Sequence, residues 1–289
     1  MSTPTVRRRR LGAKLRALRD GLGMTLDDVA EKSAVSASPF TTAKLSRLET
    51  ARTAAKPADV DALLTLYGVS DTELRAALLA LTREGAQRGW WQSYRAVLSP
   101  VYEDLISLET DATAVRTYQL GVIPGLLQTG EYARELMGAI GMADAVEERV
   151  DALVEVRLAR QAVLTRDHPL DLWAVISEGV LHTRCVGEGV MRDQLSRLLM
   201  LAKRPNITIQ VLPIDAPPHV GQMGSYSLLG FEGHIDLDVA FVEQLSSSLY
   251  VEDSDQVETY RRAFERLQAA ALPAEASVQR IAEIREKHS

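Results

Sequence analysis

Cysteine is almost missing from this sequence of 289 residues, since Cys185 is the only one. A single thiol excludes an internal disulfide framework and any metal site built from several cysteines, and it fits a reducing compartment. No stretch approaches the ~20 consecutive apolar residues that span a bilayer, and the arginines at 7–10 are not followed by the apolar core of a signal peptide. We therefore expect a cytoplasmic protein that does not enter the membrane.

Motifs of nucleotide binding and hydrolysis are missing as well. The sequence contains no GxxxxGK[ST], no GxGxxG after a predicted strand and no GxSxG, and its histidines lack HExxH-like spacing. The nearest approach to a catalytic set is Glu178, His182, Arg184 and Cys185. A cysteine three residues from a histidine is weak evidence, because catalytic partners are normally distant in sequence and no third orienting group is evident. We predict no enzyme: no catalytic residue, no metal and no cofactor.

What the sequence does have is an uneven distribution of charge. Residues 1–97 contain 16 Lys and Arg against 10 Asp and Glu, a net charge of +6, whereas the remainder contains 17 against 29, a net charge of −12. A basic head on an acidic body predicts that the head meets a polyanion, the alternative being a chance fluctuation in solvated charge. The length suits two domains, and 46% apolar with 25% charged residues is ordinary globular composition.

The first ninety residues predict five short helices. Leucines recur at helical spacing in the first helix, Gly23 ends it, and Thr25 and Ser70 occupy N-cap positions of the second and fifth. The predicted segments are Arg8–Leu22, Thr25–Ser33, Thr41–Glu49, Pro57–Tyr67 and Asp71–Thr82. A tight turn between the second and third helices is the arrangement that places a helix end in the major groove of DNA.

The amino-acid sequences of these segments also resemble those of a known domain. LRALRDGLGMTLDDVAEKSAVSAS, followed by KLSRLETARTAAKPADVDALLTLYGVSDTEL, resembles the lambda-repressor-like, Xre-type helix-turn-helix domain. The resemblance implies double-stranded DNA as the partner and Arg19–Glu49 as a structural ion pair. It implies DNA contacts among Thr25, Ser36, Ser38, Thr41, Thr42, Lys44, Arg47, Arg52 and Lys56, with Ala43 also at a base-reading position. Arg47 is the strongest candidate, because a guanidinium can bind the O6/N7 edge of guanine.

This sequence departs from the family pattern at two turns. Pro39–Ala43 looks like an insertion of about five residues relative to the family, which lengthens the turn and displaces Ser36 and Ser38 from the groove. Thr50-Ala51 replaces the usual Asn-Gly type of pair. For Arg52 and Lys56 the alternative is an ordinary solvated surface. For Thr25 the alternative to a DNA contact is a plain N-cap.

Two further segments of the head leave alternatives open. The arginines at 7–10 form either an arm for phosphates or the minor groove, or a patch that only steers association. Residues 83–99 predict a helical connector whose Trp90, Trp91 and Tyr94 lie in a buried contact rather than stacking on bases. We place the DNA-binding domain at 1–82.

From residue 100 to 272 the pattern predicts an α/β or α+β domain, followed by a polar helical tail at 273–289. Branched and aromatic residues mark strands, and apolar residues at helical spacing mark helices. The predicted strands are Leu170–Ser177, Ile207–Leu212, Ser225–Phe231 and Val239–Glu243. The predicted helices are Gly130–Ile140, Ala143–Thr165, Gly189–Lys203 and Asp253–Ala271.

Four blocks of this domain carry a second resemblance. IPGLLQTGEYAREL (123–136), RLARQAVL (157–164), QLSRLLMLAKRPNITIQVLP (194–213) and VETYRRAFERLQAAAL (257–272) resemble the antitoxin-like regulatory domain that follows the Xre-type head in many actinobacterial regulators. The resemblance implies a transcription factor rather than a reaction, and a small acidic protein partner. Candidate residues for a ligand pocket are Glu178, Arg184, His219 and Glu243. The alternative is that they occupy ordinary surface or core positions.

Together these observations predict a sequence-specific transcriptional regulator. We expect a homodimer on an inverted repeat, controlled through its C-terminal domain by a small ligand or protein partner. The alternative is an antitoxin-like protein that binds a small partner and autoregulates its operon. An enzyme tethered to DNA is the third hypothesis.

Overall fold

A computed structural model gives the structure of most of the chain. It describes residues 4–34, 39–82, 90–140, 149–185, 187, 189–231, 237–244 and 247–288. The chain divides into two compact units. The first, here called the head, consists of Met1–Trp90 with Glu232–Leu237, and the second, the body, of Trp91–Phe231 with Asp238–Ser289.

The head contains the five predicted helices, which confirms that part of the fold class. Their bounds are α1 (Val6–Gly21), α2 (Leu26–Ser33), α3 (Thr42–Glu49), α4 (Pro57–Leu66) and α5 (Thr72–Leu81). Gly23 follows α1 with φ +66°, a backbone conformation that stops a helix and that glycine adopts without a Cβ clash. The predicted Ser70 cap of α5 is wrong, because Asp71 accepts hydrogen bonds from the backbone N–H groups of Glu73 and Leu74.

The four arginines near the N-terminus are helical rather than extended. Thr5 is the N-cap of α1, and its Oγ1 accepts a hydrogen bond from the backbone N–H of Arg8 at 3.4 Å. Arg10 is buried, and its guanidinium donates to the backbone carbonyl of Leu237 within the head. The arginines at 7–10 therefore do not form the extended arm that a minor groove would admit.

The close contact of α1 with α3 depends on a glycine. A Cβ on Gly12 would lie 2.6 Å from the carbonyl oxygen of Glu49 and 2.7 Å from that of Leu48, both backbone atoms. Leu15 and Leu45 are buried in the same core. Gly12 thus fixes how closely the first helix approaches the C-terminal end of α3.

The body is a mixed α/β domain, as the sequence predicted. Its strands are β1 (Ala114–Gln119), β2 (Asp171–Ser177), β3 (Ile207–Leu212), β4 (Tyr226–Gly230), β5 (Val239–Glu243) and β6 (Ser248–Val251). In the described residues they form one sheet in the order β3-β2-β1-β4-β5-β6. The pairs β1–β2 and β2–β3 are parallel and the other three are antiparallel.

Helices cover this sheet. Their bounds are α6 (Pro100–Asp111), α7 (Gly130–Ile140), α8 (Val150–Arg160), α9 (Glu178–Leu181), α10 (Val190–Leu201), α11 (Ser254–Ala270) and α12 (Ala274–Arg285). Phe264 and Leu267 of α11 pack with Tyr118 on one face of β1. Neighbouring residues of a strand point to opposite faces, so Val115 and Thr117 face the other side. Among the described residues, no helix is both long and apolar enough to cross a membrane.

Several elements were not predicted. Strands β1 and β6 and helices α6 and α9 are absent from the sequence prediction, whereas the four predicted strands are present at nearly the predicted bounds. The predicted helix Ala143–Thr165 is observed as α8 and a following 3₁₀ helix, Gln161–Leu164, and residues 143–148 lie outside the described residues. Trp90–Tyr94 of the predicted connector also forms a 3₁₀ helix. The predicted burial of its aromatic residues is wrong for Trp90, which is exposed, whereas Trp91 and Tyr94 are half-buried against Leu98, Ile106 and Val156.

The predicted polar tail packs on the body instead of standing apart from it. Helix α12 buries Ile281 and Ile284. At the edge of the sheet, the backbone N–H of Val211 donates to Ser277 Oγ at 2.9 Å, and the backbone N–H of Leu272 donates to the carbonyl of Val211 at 2.8 Å. The chain beyond residue 271 therefore satisfies backbone groups that edge strand β3 would otherwise leave open.

Two substitutions in α1 test the helix contact. Gly12→Ala should destabilise the head by about 1–3 kcal/mol, because the added methyl meets fixed backbone oxygens. Gly21→Ala is the matched control: its Cβ would have no atom within 4 Å, and alanine favours a helix by up to about 1 kcal/mol. Hydrogen exchange of the α1 and α3 amides in the full chain should accelerate only for Gly12→Ala. Equal protection in both variants would contradict the close contact.

Candidate nucleic-acid interface and ligand cavity

A buried ion pair holds α3 in place. Arg19 Nε and Nη2 donate to Glu49 Oε1 and Oε2 at 2.7 and 2.9 Å, and Nη1 donates to the carbonyl of Met24 at 2.6 Å. Arg19 also contacts the exposed Asp20 at 2.6 Å. The hydrogen bond with Glu49 raises the pKa of Arg19 above its usual value. One guanidinium thus joins the end of α1, the turn before α2 and the end of α3.

Helix α3 presents an exposed face that carries an arginine. Ala43, Ser46 and Arg47 are exposed and Thr42 is half-buried. Thr41 caps the helix, its Oγ1 accepting from the backbone N–H of Lys44 at 3.2 Å. Within the described part of the chain, the Arg47 guanidinium has neither a hydrogen-bond nor an ion-pair partner. Its five N–H donors are therefore available to a ligand.

Two of the predicted DNA contacts are already engaged within the head. Lys44 Nζ lies 2.7 Å from Asp59 Oδ1 and 4.7 Å from the centre of the Phe40 ring. Thr25 forms a reciprocal cap with Asp28: its Oγ1 accepts from the Asp28 N–H, and its own N–H donates to the carboxylate at 2.7 Å. Thr25 Oγ1 also donates to this carboxylate at 2.7 Å, and the hydrogen bonds from the Thr25 hydroxyl and N–H lower the pKa of Asp28. A carboxylate therefore already occupies the start of α2, where Thr25 was predicted to contact DNA.

Two exposed cations follow α3. Ala51, which replaces the expected turn pair, has φ +58°, and the N–H of Arg52 donates to the carbonyl of Arg47 at 2.8 Å. Arg52 and Lys56 are exposed, and the described residues offer no partner to either side chain. Ser36 and Ser38 lie outside the described residues. The arrangement leaves three cations, at 47, 52 and 56, around the C-terminal half of α3.

The four residues proposed for a ligand pocket do not all line one cavity. Glu178 is buried and accepts a hydrogen bond from the backbone N–H of Ile214 at 3.0 Å. Arg184 is exposed. His219 meets the buried Tyr118 edge to face at 6.4 Å between ring centres. Only Glu243 borders the cavity described below.

The environment of Cys185 disfavours a nucleophile. Burial, with the nearby Glu135 carboxylate, raises the pKa of this thiol to about 11, so that the reactive thiolate is scarce at neutral pH. In the described residues no three His, Cys, Asp or Glu side chains are grouped to hold a metal ion. The sequence hypothesis of catalysis around residues 178–185 therefore gains no support from this thiol.

A cavity of about 100 Å³ lies in the body, on the face of the sheet opposite α11. It is several times larger than the ~10–15 Å³ that one water needs. Its walls come from β1, β2, β4, β5, α6, α8 and the segment 122–128. They are Tyr102, Leu105, Glu109, Val115, Thr117, Gln119, Val122, Ile123, Pro124, Gly125, Leu126, Gln128, Arg157, Arg160, Leu172, Ser227, Phe241 and Glu243.

A second buried ion pair borders this cavity. Arg160 Nε and Nη2 donate to Glu109 Oε2 and Oε1 at 2.8 and 2.6 Å, and the guanidinium also lies 4.8 Å from the centre of the Tyr102 ring. Burial lowers the pKa of Arg160, but Glu109 and Tyr102 raise it further, so the net shift is upward. Arg160 and Glu109 therefore neutralise each other inside the wall.

Glutamine side chains hold the segment that closes the cavity. Gln128 Nε2 donates to the carbonyl of Ile123 at 2.7 Å, Gln161 Nε2 to that of Gln128 at 2.8 Å, and Gln194 Nε2 to that of Leu127 at 2.9 Å. Sequence reasoning missed these residues as a site. The signal was present, because they belong to blocks 123–136, 157–164 and 194–213, and nothing in the sequence showed that these blocks meet.

Comparisons with known proteins agree with this division. A model described as a helix-turn-helix domain matches residues 10–78. A domain of unknown function, DUF5753, matches residues 102–283, more than half of the chain. No curated protein and no solved structure matches the chain. The helix-turn-helix prediction is confirmed, whereas the narrower Xre-type and antitoxin-like resemblances stay predictions.

Removing Arg19 tests the ion pair of the head. Arg19→Met should destabilise the head by about 3–5 kcal/mol, because it leaves Glu49 charged and buried without its partner. Arg19→Met with Glu49→Leu should recover part of this loss. Arg16→Met, at an arginine whose side chain is 64% exposed, is the control. Hydrogen exchange of α1 and α3 in denaturant measures all three, and an Arg19→Met head as stable as the control would refute the role of the pair.

The alkylation of Cys185 tests its environment. With iodoacetamide, the rate should rise about tenfold per pH unit and level off only near the pKa of about 11. Glu135→Gln should lower the pKa and accelerate alkylation at pH 8. Mass spectrometry of the intact chain measures the rate, and a plateau below pH 9 would show that the thiol is not held protonated.

Proposed function

This chain belongs to the DUF5753 family, and we propose that it is a sequence-specific transcriptional regulator of the Xre type whose head binds double-stranded DNA. The observation that carries the proposal is that two arginines of the head differ in burial and in pairing. Arg19 is buried and fixes α3 through Glu49, whereas Arg47 is exposed on α3 without a partner among the described residues. A helix fixed from behind and bearing a free guanidinium is suited to read a base edge.

The remaining contacts follow from which side chains are available. Arg52 and Lys56 bind phosphates beside the groove, since their charges are exposed and uncompensated by the described residues. Thr41 and Thr42 lie at the start of the same helix. Thr25 and Lys44 contribute less in this proposal, because both have partners within the head. Ser36 and Ser38 stay predictions.

One helix reads too few base pairs for tight binding, so the proposal includes a homodimer on an inverted repeat. Control comes through the body, by a small ligand or a protein partner. Since DNA is the target, the proposed place of action is the cytoplasm. Occupancy across the genome, followed by titration of the recovered site at several salt concentrations, tests this. A shared inverted repeat with salt-dependent affinity supports it, and diffuse occupancy contradicts it.

The second candidate is an antitoxin-like protein that binds a small acidic partner and represses its own operon. The charge division favours it, because an acidic protein would be attracted to the same basic N-terminal segment, residues 1–97 with a net charge of +6, that attracts DNA. In that case partner and DNA compete. Titration of the DNA complex with an acidic protein encoded by the neighbouring gene separates the two functions, because only this candidate requires displacement of DNA.

Substitution of Arg47 tests the interface itself. Arg47→Ala should weaken binding to the recovered site by about 1–3 kcal/mol and relax the preference at one base pair. Arg47→Lys keeps the charge but cannot bind guanine through a rigid fork, so affinity should recover more than specificity. Arg16→Ala, on an exposed position of α1, is the control. Fluorescence anisotropy with specific and scrambled duplexes measures both, and unchanged specificity in Arg47→Ala would reject the assignment.

A further inference from the structure

We propose that the cavity of the body binds a small organic acid: a molecule with an apolar part and a single carboxylate, which Arg157 receives. The role of this acid as the effector rests on the proposed function, but its binding does not. The cavity belongs entirely to the body, so the site is complete within one unit.

The charge of the buried wall is the first support. Four charged residues border the cavity, and Arg160 and Glu109 neutralise each other through two hydrogen bonds. Glu243 is exposed, so water screens its charge. Arg157 is left, with no carboxylate within ion-pair distance among the described residues. Since Arg157 is half-buried and has no counter-charge beside it, a ligand with one negative charge is favoured there.

The hydrogen bonds of Arg157 show the same deficit. Its Nη1 donates to Gln128 Oε1 at 2.8 Å, but its Nε is buried and has no partner in the described structure. A buried donor without a partner costs free energy, which a bound acceptor restores. Arg197, which contacts Gln161, also has a buried Nε without a partner in the described structure. Burial, together with the nearby Arg204, lowers the pKa of Arg197. The surroundings of the cavity are therefore short of acceptors and of negative charge.

The shape of the site admits a ligand beside the guanidinium. Gly125 borders the cavity, and a Cβ at this position would lie 3.7 Å from Arg157 Nη1 and 3.9 Å from Arg160 Nη1. Any side chain longer than a methyl would occupy the space next to Arg157. Ile123, Leu126 and Phe241 supply buried apolar surface to the same lining. An apolar body with one acidic end matches both parts of this wall.

Methyl NMR of the full chain tests the proposal. Protein labelled with ¹³C on the methyl groups of Ile, Leu and Val is titrated with hexanoate and benzoate, and in parallel with hexanamide and benzamide. At least one acid should shift the methyl signals of Ile123 and Leu126 saturably. Its amide should bind at least about tenfold more weakly, since the amide lacks the charge-assisted hydrogen bond. Absence of saturable shifts with both acids, or amides that bind as tightly as the acids, overturns it.

Variants separate binding from folding and from DNA recognition. Arg157→Gln should lose acid binding at least about tenfold while keeping the methyl spectrum of the folded body, and Arg157→Lys should restore part of it. Arg134→Gln, at a half-exposed arginine paired with Asp151, is the matched control and should bind normally. Unchanged acid affinity in Arg157→Gln overturns the assignment. DNA binding of the unliganded chain, measured separately, bears only on the proposed function.

Discussion

Each unit of this protein is organised around an arginine that is removed from water and must find a carboxylate. In the head, Arg19 reaches Glu49 across two helices and thereby fixes the end of α3. In the body, Arg160 reaches Glu109 and joins α8 to α6 beside the sheet. A buried guanidinium tolerates few arrangements, because the loss of either partner leaves an uncompensated charge in a poorly solvating environment. The two pairs therefore fix the geometry of α3 and of the cavity wall.

Sequence patterns predicted those parts of the fold whose signals are local. The helices of the head could be predicted because leucine spacing, N-caps and Gly23 are signals within or next to a single helix. The Arg19–Glu49 pair could be predicted because both residues match positions of the helix-turn-helix pattern. Strands β2 to β5 were readable because their residues are mostly branched or apolar. Strand β1 was missed because Arg116, Thr117 and Gln119 make it polar in composition, although it lies between β2 and β4 and is paired on both sides.

The cavity could not be predicted for a different reason. Arg157 and Gln128 are unremarkable in sequence, and they acquire a role only because the chain returns to the same face of the sheet. Glu178 and His219 were predicted to line a ligand pocket, yet neither borders this cavity. Glu178 accepts a hydrogen bond from the backbone N–H of Ile214, and His219 packs against Tyr118 with its Nδ1 buried and without a partner in the described residues. Polar residue type alone does not identify a site, because the cavity that a polar atom borders and the partners that it finds both depend on the folded neighbours. The glutamines that bind the carbonyls of segment 123–128 order this part of the cavity wall, which limits the ordering that a ligand must impose.

The return of the chain along edge strand β3 protects the sheet from pairing with another chain. Leu272 and Ser277 occupy backbone groups of Val211 that would otherwise invite another strand. A chain cleaved before these residues would keep its head and all six strands but would expose the unpaired backbone groups of β3 to another chain. An open edge of this kind is a template for strand pairing between chains, so the loss of residues 272–288 would favour aggregation of the body.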